Sequence, residues 1–387
     1  MPQYFAPGVY VEEVPGTPPI SGVGTSTAGF LGVVDTTNVT FQMPLLPGSD
    51  TTRYTVVAAG VPTLITSWDQ FKTRFGDFQA ANATLAHAVY GFFNNGGTRV
   101  WVNRIADIAN TNNVRDGLQQ FEAIDEIAIV AVPGALAAAA QTEITGHCEN
   151  MQDRFAILDG QITTTITVGA IQGTVGDSDY AAMYFPRIQV YDPITDALIY
   201  VHTSGHMAGI YARVDAERGV HKAPANENVR GALGLEYLVS RNEQAGLNPD
   251  GINVIRGFDG NIKVWGARTL GGQANGEFRY INVRRLMNFL RESIDEGTQF
   301  AVFEPNSPPL WARIRRSVGS FLTNVWRDGA LFGTTPEEAF YVRCDETTNP
   351  PEVREAGMVI TEIGVAIVKP AEFVIFRIAQ LTSSASS

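Results

Sequence analysis

The sequence has only two cysteines, Cys148 and Cys344, among 387 residues. With no CxxC pair and no Cys/His cluster, neither a zinc site nor a disulfide framework is supported. Charge is also scarce: Asp, Glu, Lys and Arg make up 18% of the chain, against 44% apolar residues. A molecule with so few charged groups is expected to hide much of its surface against partners. The charge that is there sums to −12. That argues against nucleic-acid binding, which rests on cationic neutralisation of phosphates. No apolar run approaches the roughly 18 residues needed to span a bilayer. Residues 1–10 lack the basic start and apolar stretch of a secretion signal. The expectation is cytosolic synthesis without membrane insertion.

Glycine (38) and proline (20) are plentiful, which favours many short strands and turns over long helices. Pro2, Pro7, Pro15, Pro18 and Pro19 punctuate the first 25 residues, and proline blocks both helix and central-strand pairing. Between them, Val9-Tyr10-Val11 and then Glu12-Glu13-Val14 form a β-prone segment with no local hairpin partner. It reads either as a tail or as a strand awaiting an edge on another molecule. The far end mirrors it. Residues 359–368 are β-prone, Lys369-Pro370-Ala371 interrupts them, and residues 373–378 read as a last strand.

The body between alternates strand and helix, an α/β (α+β) pattern of helices packed on a sheet. Strands are expected at 28–34, 100–102, 127–132 and 155–158, then at 187–191 and 198–201 around Asp192-Pro193. Further strands are expected at 252–255, 262–265 and 300–303. Ser67 and Gln70 form a capping-box pattern for a helix ending at Gly76. A second helix covers 83–93, and an Ala-rich one follows Pro133-Gly134 towards Met151. Residues 36–60 read as an irregular loop or hairpin, and 161–179 as a flexible hairpin. Val283, Leu286, Met287, Leu290 and Ile294 mark a helix stopped by Gly297. Pro308-Pro309 opens another, whose stripe is Leu310, Ile314, Val318, Phe321, Leu322 and Val325. Its opposite face carries Arg313, Arg316, Ser320, Asn324 and Arg327. Thr335, Pro336 and Glu338 cap a short last helix. The implied organisation is an arm over 1–25, an α/β domain over 26–255, a second domain over 256–358 and a terminal arm over 359–387.

A search for catalytic chemistry yields little. Ser21-Gly22-Val23-Gly24-Thr25 has Thr27 where a dinucleotide loop needs glycine, and no strand precedes it. His202 and His206 stand four apart near Asp192, Asp196, Asp215 and His221, but Gly205 between them argues against a regular helix and no HExxH pattern supplies a base. Ser204 lacks the glycines of a nucleophile elbow. No catalytic residue, cofactor site or metal site is assigned. One electrostatic feature stands out. Between Arg279 and Arg327 lie eight arginines (279, 284, 285, 291, 313, 315, 316, 327), four acids and no lysine, a balance of +4. It reads as a solvated face or as a surface complementary to an acidic partner.

Several segments together resemble the contractile tail sheath proteins of phages and of phage-tail-like extracellular injection systems. They include Tyr4-Phe5-Ala6-Pro7-Gly8-Val9-Tyr10-Val11-Glu12-Glu13, Ser204-Gly205-His206-Met207-Ala208-Gly209-Ile210-Tyr211-Ala212-Arg213 and Asp215-Ala216-Glu217-Arg218-Gly219. Val264-Trp265-Gly266-Ala267-Arg268-Thr269-Leu270, Tyr280-Ile281-Asn282-Val283-Arg284-Arg285 and Phe303-Glu304-Pro305-Asn306 extend the match. So do Trp326-Arg327-Asp328-Gly329-Ala330-Leu331-Phe332-Gly333 and Lys369-Pro370-Ala371-Glu372-Phe373.

The resemblance implies a non-enzymatic subunit with a C-terminal sheath domain. Its terminal arms, here Val9, Tyr10, Val11 and Phe373, Val374, Ile375, Phe376, would add strands to neighbouring subunits. It implies hexameric rings stacked helically around an inner tube, with baseplate and cap proteins at the ends and no direct nucleic-acid contact. The particle would be built in the bacterial cytoplasm and then be released, retained or carried as a virion tail. Arg313, Arg316 and Arg327 are the candidate tube-contact residues. An injection-system sheath is the first reading. The sheath of a myophage virion is the second, and a metal-dependent hydrolase using His202 and His206 is a remote third.

Overall fold

The structure, a computed structural model, describes residues 20–377. Within them the chain forms two compact units, one of residues 23–292 with 367–377 and one of residues 293–366 with 20–22. The larger unit opens with β1 (Ala28–Val33), β2 (Thr63–Ile65), α1 (Trp68–Phe75), α2 (Ala83–Asn94) and β3 (Val100–Ile105). There follow α3 (Thr111–Gln119), β4 (Ile129–Ala131), α4 (Ala138–Met151), β5 (Phe155–Asp159), α5 (Val168–Gln172) and β6 (Ala181–Phe185). Then come β7 (Ile188–Asp192), β8 (Ala197–Val201), α6 (Ser204–Arg218), β9 (Gly234–Leu235), α7 (Arg241–Leu247), β10 (Ile252–Phe258) and β11 (Asn261–Val264). The boundary between the units falls inside α8 (Ile281–Thr298). The smaller unit holds α9 (Pro308–Arg327), α10 (Pro336–Ala339), β12 (Phe340–Arg343), α11 (Pro351–Glu355) and β13 (Glu362–Val365).

Eight strands make one sheet in the order β11-β10-β6-β5-β4-β1-β3-β2. The inner six are parallel, while β2 and β11 close the two edges antiparallel. Parallel strands sandwiched by helices are buried on both faces, so they read as continuous apolar runs rather than alternating ones. Phe30, Val100, Ile129 and Phe155 are accordingly buried. One face is covered by a core that includes residues of α1, α2 and α6, the other by residues of α3, α4 and α5. A separate sheet, β8-β7-β9, is built on the hairpin around Asp192-Pro193.

Several expectations are corrected. Helix α6 does form through Gly205, because its glycines allow close packing on α2. A Cβ on Gly205 would stand 2.5 Å from the Ala88 carbonyl oxygen, and one on Gly209 would stand 2.3 Å from that of Phe92. The glycine that weakens helix propensity is the one that lets two backbones meet. Residues 161–179 contain no hairpin; they carry α5, capped by Thr167, whose Oγ1 accepts from the Ala170 N–H. Residues 299–301 form a 3-10 turn rather than a strand, and exposed Phe303 follows with a φ of +65°. Gly297 lies within α8, where a Cβ would meet Ile20 at 2.6 Å. A domain boundary at residue 255 would cut β10. Residues 373–377 form no strand among the described residues.

In the smaller unit, Leu310, Ile314, Val318, Phe321, Leu322 and Val325 of α9 are buried, as their spacing requires. The helix packs on β12, which pairs antiparallel with β13 from Phe340↔Val365 to Arg343↔Glu362. A two-stranded sheet is marginal alone and needs such a helix behind it.

Candidate functional site

In α/β sheets, ligands favour the crevice at the carboxyl ends of the strands. Here Asp159 ends β5, and its carboxylate is consumed by the chain itself. Oδ1 accepts from the N–H groups of Thr203 and Ser204 at 3.0 and 2.9 Å, and Oδ2 from Gly134 N–H and Ser204 Oγ at 3.1 and 2.8 Å. A carboxylate so fully bonded fixes the start of α6 and is not available as a general base. His206 sits in the slot left by Gly91. Burial, aided by nearby His87, lowers its pKa to about 4, so it is neutral at pH 7. His87 instead meets Asp192 at 3.1 Å. Among the described residues, no three His, Cys, Asp or Glu side chains converge as a metal-holding group.

The features that stand out are the roots of the two arms. At the amino end, Thr25 donates its hydroxyl to Asp215 Oδ2 at 2.7 Å, and its carbonyl accepts from Arg285 at 2.9 Å. Arg285 in turn grips Asp215 with two bonds of 2.9 and 2.7 Å and lies over the Tyr211 ring. Both charged side chains are buried. At the carboxyl end, Glu372 receives four donors: Arg268 Nε and Nη2 at 2.9 and 2.8 Å, Asn248 at 2.6 Å and Tyr280 at 2.9 Å. Burial pushes the Glu372 carboxyl up, but the bonds from Arg268, Asn248 and Tyr280 outweigh it and hold the pKa below its ordinary value. Immediately beyond, Phe373, Val374, Ile375 and Phe376 are 68–84% exposed. Together they form a run of four exposed apolar side chains. Val9, Tyr10 and Val11 lie outside the described residues.

The arginine cluster does not form one face. Arg284 pairs with Asp179 and stacks on Phe278 and Tyr180, and Arg285 belongs to the amino root. Both are buried. Arg313 lies over the Phe300 ring at 4.3 Å, and Arg315 donates to the Cys344 carbonyl. Arg316 is exposed and lines an open groove between α9 and β12, while Arg327 is exposed in the last turn of α9. Sequence reasoning missed both root clamps. Arg268, Arg285, Asp215 and Glu372 all stand inside the quoted motifs, yet nothing local pairs residues 70 or 104 positions apart.

Comparison with known proteins matches these features to a family. The model of the phage tail sheath protein central domain matches residues 109–270, and that of the phage tail sheath C-terminal domain matches residues 273–380. The tail sheath protein of Vibrio phage KVP40 is 30% identical over 190 residues, which cover 48% of this chain. The chain spans about a quarter (27%) of that protein's length. The helical sheath of the anti-feeding prophage in its contracted state superposes with a TM-score of 0.77 at 30% identity, covering 97% of this chain and 99% of that one. The sheath complex of the extracellular contractile injection system PVC, also contracted, gives 0.77 at 29%, covering 98% and 99%.

Proposed function

The chain belongs to the phage tail sheath family, and from that premise we propose that it is the structural subunit of a contractile sheath, polymerising helically around an inner tube and shortening to drive it through a target envelope. The observation that carries this reading is the near end-to-end likeness to two contracted sheath subunits. Because both belong to phage-tail-like systems, an injection system is favoured over a virion tail. The role is mechanical rather than catalytic, in keeping with an Asp159 carboxylate committed to the fold. Contraction draws on free energy stored when the long form assembles, so no nucleotide site is required.

Assembly rests on borrowed strands. The exposed segment 373–376 follows the Glu372 clamp and would reach another copy. The two-stranded sheet β12-β13 offers outer edges that, among the described residues, pair with no further strand. Added strands would satisfy those edges through main-chain hydrogen bonds, which survive rotation of the bodies if the arms flex. Residues 9–11 would do the same from the other end. Of the three candidate tube contacts, Arg316 and Arg327 are exposed and would meet an acidic tube, whereas Arg313 lies over Phe300. Rings stacked around the tube, a baseplate and a terminal cap complete the proposed partners, with assembly in the bacterial cytoplasm.

Negative-stain microscopy of the expressed full chain tests the reading. Striated hollow cylinders are expected, and removing residues 373–387, which spares the Glu372 clamp, should leave folded monomers. Cylinders of normal appearance from the shortened chain would refute the role given to the arm.

A further inference from the structure

The start of α8 touches both arm roots, and does so within the larger unit. Its backbone is tied to the segment that carries Arg268. The Ile281 N–H donates to the Ala267 carbonyl at 3.0 Å, and the Thr269 N–H to the Arg279 carbonyl at 2.9 Å. Tyr280, just ahead of the helix, reaches Glu372, while Arg285 holds Asp215 and the Thr25 carbonyl. Between them stands Asn282, three positions before Arg285 and so on the same side of the helix. Its Nδ2 donates to the Val368 carbonyl, in the carboxyl segment, at 3.3 Å and to the His221 carbonyl at 2.8 Å. His221 lies just beyond the end of α6, whose last turn carries Asp215.

Asn282 is an odd choice for stability alone. It is 1% exposed, and its Oδ1 is buried with no hydrogen-bond partner among the described residues. A buried acceptor left unpaired is costly, and an apolar side chain of similar size would avoid that cost. What the asparagine supplies instead is the pair of bonds from its nitrogen. Those bonds join the carboxyl segment to the loop behind the amino root.

We propose that the first turn of α8 couples the two arm roots, with Asn282 as the positioning residue that carries the coupling. When Glu372 is clamped, Val368 is held against Asn282. That steadies the His221 loop and the end of α6, and with them the Asp215 carboxylate that Arg285 and Thr25 share. Freeing either root loosens the groups that hold the other, and linkage makes the effect equal in both directions. In a lattice joined through both arms, a pull on one arm would then be felt at the other. That consequence rests on the assembly reading above, whereas the coupling itself is a property of one chain.

Hydrogen exchange of the full-length chain decides it, with residues 23–27 and 368–372 as the two roots and α3 as the reference for general loosening. Glu372→Gln is expected to speed exchange at 23–27 about fivefold more than in α3, and Thr25→Val to speed 368–372 by a like factor. Far-root rates that rise no more than those of α3 overturn the coupling, and this measurement needs no Asn282 variant at all. In an Asn282→Leu background, each far-root effect should fall below about twofold. Asn282→Ala repeats the cycle with a smaller side chain. A far-root effect that survives both variants overturns the role of Asn282. A side chain with a merely structural role would shift all rates without changing the interaction between two distant substitutions. Neither result bears on whether the unmodified chain forms cylinders, so failure here and failure of the assembly reading are told apart.

Discussion

The two arm roots solve one problem in different ways. At the amino root, the body owns both charges: Arg285 and Asp215 are paired whether or not Thr25 is present, and the arm contributes only a hydroxyl and a carbonyl. At the carboxyl root, the arm brings the anion and the body keeps the cation, so among the described residues Glu372 is the sole carboxylate on buried Arg268. Losing the first arm forfeits hydrogen bonds to a carboxylate and a guanidinium that stay paired with each other, each bond worth about 1.5–3 kcal/mol. Losing the second strands a buried guanidinium, and breaking such a pair typically costs about 3–5 kcal/mol. The carboxyl root is therefore the more sensitive to loss of a single side chain.

The sharpest way to break this contrast is Glu372→Ala. It should destabilise the larger unit by about 3–5 kcal/mol in urea unfolding and open Lys369 to trypsin; unchanged protection there would show that the clamp does not seat the arm. Glu372→Gln keeps one acceptor oxygen, enough for the Arg268 Nε and Asn248 bonds, but removes the charge and the second acceptor, so a smaller loss of about 1.5–3 kcal/mol is expected. Acid should do the same reversibly. Because the folded Glu372 pKa is depressed, the unfolded chain binds the proton first as pH falls. The stabilisation is thus complete above the ordinary glutamate pKa and is lost as pH drops through the folded value. Hydrogen exchange at residues 368–372 should accelerate in that acid window and not at pH 6. The amino root, by comparison, should lose about 1.5–3 kcal/mol on Thr25→Val, because the Asp215 carboxylate keeps both bonds from Arg285. A loss as large as that of Glu372→Ala would erase the distinction between the roots.

Much of the fold was legible because it obeys short-range rules. The stripe of α9 is buried residue for residue, and Ser67 caps α1 by accepting from Gln70 N–H. Even there the box is only half made, since Gln70 Oε1 bonds the Thr66 N–H rather than that of Ser67. Helix α3 escaped notice because Asn112, Asn113 and Gly117 are poor helix formers; its signal was Asn110, whose side chain caps it, ahead of Val114 and Leu118. Strand β6 escaped because Ala181-Ala182-Met183 shows no alternation on a strand buried on both faces. The terminal segments stood out as oddities of proline and β-branching, but residues 1–19 lie outside the described residues and 373–377 form no strand. Their anchors were not legible, since Thr25 and Arg285 are 260 residues apart and meet only once the sheet has formed.

The contact between α2 and α6 has a mechanical consequence. Where Gly205 and Gly209 press against the carbonyls of Ala88 and Phe92, there is no layer of pliable side chains to yield under load. Such a joint acts as a splint: close-packed interiors transmit strain, so the two helices are expected to turn together. One added methyl at Gly205 would act as a wedge in it, and the body would lose stiffness before it lost its shape.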